Sequence, residues 1–280
     1  MTSVVIAAHN EAAVIGRCLD SLLAGAAPGE FDITVAANGC TDDTAEVAAE
    51  RGVRVLDLPE PGKAGALNAG DAVATGFPRV YLDADIVLST DDLRALAAAV
   101  DGPILAATAH RELDLTGRPP LVRAYFAINR WLPAFRTGLF GRGVIVLGEA
   151  ARARFDGFPD MVADDLFLDS LFAAGEKCEV PGVRSRVATP LRTDALIRRL
   201  VRVRAGNAAM RTASARGDVG AAVRSADRSS WLKDVVLRRP WLAPAAVCYV
   251  GITLCAALRA RGGNPDWGHD DSTRQEEVHV

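Results

Sequence analysis

Apolar residues in this chain gather in short runs separated by helical stripes. Ser3 to Ala8 is almost wholly apolar, which predicts a strand buried on both faces. Glu11 to Leu23 then sets Val14, Ile15, Cys18, Leu19, Leu22 and Leu23 on one side of an amphipathic helix. The alternation recurs. Strands are predicted over Phe31 to Ala36, Val53 to Leu58 and Arg79 to Leu82, with helices over Asp42 to Arg51 (Thr41 as N-cap), Ala64 to Val73 and Asp91 to Val100. This rhythm predicts an α/β fold whose largely parallel sheet is covered on both faces and binds ligands at the strands' carboxyl ends.

Beyond Val100 the pattern becomes mixed. Strands are expected over Pro103 to Ala109, Arg142 to Leu147 and Val183 to Ala188, and helices over Pro119 to Phe135, Asp164 to Ala173 and Thr193 to Ala215. Trp241 to Leu258 is apolar and bracketed by Arg238, Arg239, Arg259 and Arg261. It is short for a bilayer span, which needs roughly 17–25 residues, and Pro244 and Gly251 interrupt it. An interfacial helix, a short membrane segment and a helix packed on the body all remain open. The expected organisation is a main domain over 1–215, divided at residue 100 into two halves, a helical extension over 216–261, and a flexible tail over 262–280.

Composition refines this picture in two places. The net charge of −3 hides a segment from Arg184 to Arg239 with fourteen basic and four acidic residues, which suits phosphates or anionic lipid headgroups. No nucleic-acid-binding motif accompanies these arginines, so nucleic acid is not an expected partner. The five cysteines are scattered with no Cys-x-x-Cys pair, which argues against a disulfide framework or zinc site. With a strand starting almost at Met1 and no basic leader before it, the expected location is cytoplasmic, with association at the inner membrane face also open.

The candidate chemistry falls at the predicted strand ends. Asp83 and Asp85 flank Ala84, so an extended chain projects both carboxylates from one face, an arrangement suited to a hard divalent cation. Ala7-Ala8-His9-Asn10-Glu11 ends the first strand, with Glu11 at a helix start. Asn38-Gly39-Cys40-Thr41-Asp42 ends the second as a tight turn, where Asp42 suits the helix N-terminus. After the third, Gly62-Lys63 supplies a loop lysine able to reach a diphosphate, and Asn68 lies further along the helix. Asp164-Asp165 opens a later helix, where acids meet the dipole. Gly141-Arg142-Gly143 would permit close approach of a ligand.

Together, over roughly Ser3 to Asn207, these segments resemble the family 2 inverting glycosyltransferases of the GT-A fold. The resemblance implies a Rossmann-like, mostly parallel mixed sheet flanked by helices. It implies a nucleoside diphosphate sugar donor, with UDP the expected diphosphate, held by a nucleotide-binding half over 1–100, and a saccharide or lipid-linked acceptor at an acceptor half over 101–215. Ala8, Glu11, Asn38, Lys63, Asn68, Asp83 and Ala84 would line the nucleotide, and Arg198 and Arg199 could clasp its diphosphate. Asp85, with Asp83, would hold Mn²⁺ or Mg²⁺. Asp165 would be the catalytic base and Asp164 would hold the acceptor or cap the helix. Family members usually carry Asp near Asn38. The Gln-x-x-Arg-Trp motif of processive relatives is absent around Arg198-Arg199, which implies one sugar per encounter. Two alternatives fit less well. A sugar-phosphate nucleotidyltransferase would want a glycine-rich basic loop after the first strand, and a non-catalytic sugar-nucleotide-binding protein would have lost the acids that this chain keeps.

Overall fold

The computed structural model describes residues 1–160, 163–217, 223, 227 and 229–261. Two compact units emerge: Met1–Glu112 with Leu139–Val187, and Leu113–Gly138 with the described residues from Ala188 onward. The expected tail over 262–280 lies outside the described residues.

The first unit alternates β1 (Thr2–Ala8), α1 (Ala12–Leu23), β2 (Phe31–Asn38), α2 (Thr44–Ala49), β3 (Arg54–Leu58), α3 (Lys63–Val73), β4 (Arg79–Asp83) and α4 (Thr90–Ala98). Val4, Val5 and Ile6 are fully buried, as a strand covered on both faces requires. Ile15, Cys18, Leu19 and Leu22 form the buried stripe of α1. Burial first, then the Asp85 and Asp83 charges, push the Cys18 thiol up to about 12, so it is an inert core group. Ser89 and Asp92 close a capping box that starts α4.

Seven strands form one sheet in the order β3-β2-β1-β4-β6-β5-β7, completed by β5 (Ala106–Asp114), β6 (Val144–Leu147) and β7 (Lys177–Ala188). The first four are parallel, so their carboxyl ends share one edge. β6 runs antiparallel to β4, pairing Leu82 with Val144, which carries the start of β6 to the carboxyl end of β4. The expected mixed, mostly parallel sheet is found, with the antiparallel return between β4 and β5.

Several boundaries differ from expectation. The helix predicted over Pro119 to Phe135 is two, α5 (Pro120–Asn129) and α6 (Pro133–Thr137), because the Pro133 ring cannot follow the Asn129 carbonyl in one helix. After α7 (Glu149–Arg152) comes α8 (Asp164–Ser170), which stops three residues short of Ala173. α9 (Thr193–Arg216) and α10 (Ala243–Arg261) close the described chain.

An ion cluster braces the first unit. Asp71 of α3 accepts from Arg79 of β4 and from Arg152 of α7, and takes a hydrogen bond from the Tyr81 hydroxyl at 3.1 Å. The Asp71 side chain is 4% exposed and that of Arg79 5%. Arg152 also donates to the carbonyls of Phe155 and Asp156 and lies 4.2 Å from the Phe155 ring centre.

Candidate active site

Loops after β1, β2 and β3 meet at the shared edge and are stitched to one another. Asn10 takes the left-handed conformation (φ 53), and its Oδ1 accepts from the Thr41 backbone N–H at 2.7 Å. The Glu11 N–H donates to Thr44 Oγ1 at 2.8 Å, and the Ala12 N–H donates to Asp42 at 3.1 Å. Asp42 also accepts from the Thr44 N–H at 3.2 Å. Thr41 is therefore not the N-cap of α2: its N–H and hydroxyl both bond Asn10, and the helix begins three residues later. Gly39 is required twice over. It sits at φ 56, and a Cβ there would lie 2.8 Å from Pro61.

Asn38 is buried within this lattice. Its Nδ2 donates to the Ala8 carbonyl at 2.8 Å and to Ala36 at 3.3 Å, while Oδ1 accepts from the Gly62 N–H at 2.9 Å. Both amide hydrogens and one Oδ1 lone pair of Asn38 thus go to shaping the loops. Ala8 is fully buried, and its carbonyl receives Asn38. His9 Nδ1 lies 2.6 Å from the Asn38 carbonyl. Glu11 is half-buried at the N-terminus of α1.

Strand pairing ends at Asp83, and Ala84 and Asp85 form a turn that the Ile86 N–H closes onto the Asp83 carbonyl at 3.1 Å. The extended geometry expected through Asp85 thus stops two residues early. Burial still alternates: Ala84 and Ile86 point inward, and Asp83 and Asp85 keep solvent access.

Lys63, the first residue of α3, joins two acidic groups that the sequence sets far apart. Its ammonium lies 2.8 Å from Asp83 and 3.0 Å from Asp164. Burial works to lower its pKa, but Asp164 and Asp83, and then Asp165, outweigh it and hold the ammonium well above its usual range. Asp165 accepts from the Gly141 N–H at 2.9 Å and from its neighbour Leu166 N–H at 2.7 Å. Burial first, then Asp164, push the Asp165 carboxyl up to about 6, against the opposing pull of Lys63 and the Gly141 N–H.

Phe158, upstream of this acidic pair, is clamped by α3. Asn68 Nδ2 donates to the Phe158 carbonyl at 2.9 Å, and its Oδ1 accepts from the Phe158 N–H at 2.7 Å. Asn68 therefore positions Phe158 with both ends of its amide. Phe158 also packs edge-on against Tyr81 at 4.9 Å and against Phe155 at 5.3 Å, and Phe155 in turn meets Phe167 of α8. Sequence reasoning missed Asp71, Arg152, Phe155 and Phe158 as supports, since each looks like an ordinary charged or apolar position.

Gly141 to Gly143 links the two carboxylate groups. Gly141 donates to Asp165, while the Gly143 carbonyl accepts from the Asp83 N–H at 2.8 Å. Gly143 lies at φ 71, and a Cβ there would sit 2.3 Å from Ile86 Cγ1 and 3.4 Å from Asp83 Oδ2. Gly143→Ala should therefore cost about 2–4 kcal/mol and weaken ligand binding at Asp83. Gly182→Ala is the control: φ is 88 but nothing lies within 4 Å, so only about 1–2 kcal/mol is expected. Denaturant melts of both variants measure the difference. Arg142 between the glycines is buried, donates to the Ala109 carbonyl at 2.8 Å, and pairs with Glu179. It supports the sheet.

Arg198 and Arg199 belong to the second unit. There Arg198 pairs with Asp194 at 2.8 Å on the surface of α9, and Arg199 lies 3.4 Å from the Ala188 carbonyl. Among the described residues, no three His, Cys, Asp or Glu side chains gather as a closed metal site. Asp83, which pairs with Lys63, and Asp85 are hard oxygen donors two residues apart. That donor set fits a magnesium-like cation, which draws its remaining ligands from phosphate and water.

Residues 3–145 match the model of Glycosyl transferase family 2. An uncharacterized glycosyltransferase of Mycobacterium bovis is 40% identical over 76 residues, covering 27% of this chain and 35% of the relative. A PGL/p-HBAD biosynthesis glycosyltransferase of Mycobacterium tuberculosis is 35% identical over 142 residues, covering 48% and 52%. The chain thus spans a third to a half of the length of these curated relatives. Among solved structures, the mannosyltransferase PcManGT from Pyrobaculum calidifontis, in complex with GDP-Man and Mn²⁺, superposes with a TM-score of 0.60 at 22% identity, over 93% of this chain and 79% of the other. Glucosyl-3-phosphoglycerate synthase from Mycobacterium tuberculosis, in complex with Mg²⁺ and UDP, gives 0.50 at 22% identity, over 67% and 70%. These likenesses support the GT-A-like α/β fold.

Proposed function

The chain belongs to glycosyl transferase family 2, and from that premise we propose that it transfers one sugar from a nucleoside diphosphate sugar, expected to be a UDP-sugar, to an acceptor hydroxyl with inversion. The observation that carries this reading is the junction at Lys63, whose ammonium holds Asp83 and Asp164 within 3.0 Å while Asp165 stands beside them.

Each group has a task in this reading. Asp83 and Asp85 would hold Mn²⁺ or Mg²⁺, which when bound neutralises charge on the departing diphosphate. Lys63 adds a point charge of its own at the diphosphate. Asp165, oriented by two backbone N–H groups, takes the proton of the acceptor hydroxyl as that oxygen attacks the anomeric carbon. Asp164 keeps Lys63 in place and borders the acceptor. The acceptor is a saccharide or a lipid-linked saccharide.

The deciding experiment screens UDP-, GDP- and dTDP-sugars for metal-dependent release of the nucleoside diphosphate. EDTA should depress turnover about 100-fold and Mn²⁺ should restore it, whereas Asp85→Ala should lose a similar factor that added metal does not restore. Turnover by Asp85→Ala at the normal rate would sink the proposed metal role. Pyrophosphate release from a nucleoside triphosphate would point instead to a nucleotidyltransferase.

A further inference from the structure

The second unit carries a helix that is apolar on both faces. Between Arg239 and Arg259 the sequence holds no charged residue. Ala246, Ile252 and Ala256 of α10 turn inward, Ile252 and Ala256 onto Val122, Phe126 and Leu196, and Tyr249 stacks on Tyr125 at 5.0 Å. The opposite stripe comprises Val247, Gly251, Leu254 and Leu258, spaced at helical intervals and turned to solvent. Val247 is 74% exposed, Leu254 58% and Leu258 65%. A helix on a water-facing surface carries charge there. By length and composition this one could cross a membrane, and 17% of its apolar window is buried.

The end of this helix is built differently. Trp241 and Leu237 are about 70% exposed. Arg239 lies 3.8 Å from the Trp131 ring centre. Trp131, Arg136, Asp234, Arg238, Arg239 and Trp241 border a cavity of about 270 Å³. Asp234 lies 3.9 Å from Arg238, which leaves the cavity net positive. Arginine beside tryptophan, next to an exposed apolar stripe, is the composition of a membrane–water boundary.

We propose that this surface docks on an anionic bilayer, with α10 lying in the membrane plane. Val247, Leu254 and Leu258 enter the acyl boundary, Trp241 lies at headgroup level, and Arg136, Arg238 and Arg239 meet lipid phosphates. A spanning orientation is disfavoured by α9, which packs along α10 and carries Arg198, Arg199, Arg202, Arg204, Arg211 and Arg216. Spanning would draw those arginines into hydrocarbon. A two-fold pairing of this face would bring two net-positive patches together, so the charge favours lipid. This inference does not depend on the reaction proposed above.

The test is flotation of the full chain with vesicles of phosphatidylcholine alone or with about 30% phosphatidylglycerol. Wild type should bind the anionic vesicles at least about tenfold more tightly than the neutral ones, less so at high salt. Arg238→Gln with Arg239→Gln should weaken binding about 30-fold, and Val247→Glu with Leu254→Glu at least tenfold. Should the Glu pair misfold, tryptophan emission of the wild type gives a second readout. It should shift to the blue on anionic vesicles, and less so in Trp241→Phe. No binding by wild type, equal binding to neutral vesicles, or variants that bind like wild type would overturn the proposal. A change in the oligomeric state of the Glu pair with vesicle binding intact would overturn it too, and mark α10 as a self-association face.

Discussion

Asp165→Asn is expected to lower kcat about 10³-fold, to leave donor affinity nearly unchanged, and to raise the melting temperature at pH 8. The first effect is the removal of a general base, worth about 10²–10⁴. Donor affinity is preserved because Asp83, Asp85 and Lys63 remain. The gain in stability follows from the raised carboxyl. Between its ordinary value of 3.8 and about 6, the folded protein keeps a proton that the unfolded chain has released. Stability therefore falls as pH rises through that window, and above it the folded state carries an ionised carboxylate in an unfavourable place. Asn removes that charge and keeps one of the two backbone N–H bonds, and the bond it loses offsets part of the gain. In the wild type, turnover should climb with pH through about 6 and then level off, as an essential base requires. Nucleoside diphosphate release and thermal melts at several pH values read both quantities. A variant retaining a tenth or more of the wild-type rate would remove Asp165 from the role of base.

Asp71→Asn is expected to be the most damaging change in the scaffold, costing about 3–5 kcal/mol and on the order of 10 °C in melting temperature. Arg79 is 5% exposed and Arg152 19%, so losing their shared carboxylate leaves two guanidinium groups with uncompensated charge in poor contact with water. The damage should travel. Arg152 holds the carbonyls of Phe155 and Asp156 and lies over the Phe155 ring, so its release loosens the packing of Phe155 on Phe167 of α8, the helix that carries Asp164. Turnover should drop even at temperatures where the variant stays folded. Replacing the exposed partner in another pair, as in Asp91→Asn beside Arg94, should cost less than about 1 kcal/mol. Calorimetry of the two variants provides the comparison.

Much of the fold was legible because parallel strands write themselves into the chain one after another. Four apolar runs, each followed by a helical stripe, put the ends of β1 to β4 on one edge, and the candidate loops lay at those ends. Asp83 and Asp85 could be picked out for the same reason, and the 164–165 pair through the family resemblance, since it opens a later helix. What stayed hidden were partnerships across long separations. Nothing around Asn68 announces that its amide binds Phe158, ninety residues on. Arg79 looks like the solvated start of a strand, yet it is buried against Asp71. Asn38 has the residue type of a ligand contact, and its three hydrogen bonds go to backbone atoms. Local pattern gives the direction of a chain. It does not say which polar atoms are already engaged.

The link between Gly141 and Gly143 sets a dimensional tolerance. Gly141 holds the Asp165 carboxylate, proposed to face the acceptor, and Gly143 holds the strand end at Asp83, proposed to face the leaving group. Three residues span at most about 10 Å, and each added residue changes that reach by about 3.5 Å, roughly the separation of reacting atoms before attack. An insertion of one residue here would therefore put the two halves of the reaction out of step. The surface turn at Gly29, where φ is 74 and nothing lies within 4 Å, should absorb the same insertion with little consequence. The gauge of this site is a three-residue length of backbone, which neither carboxylate can alter by changing its own rotamer.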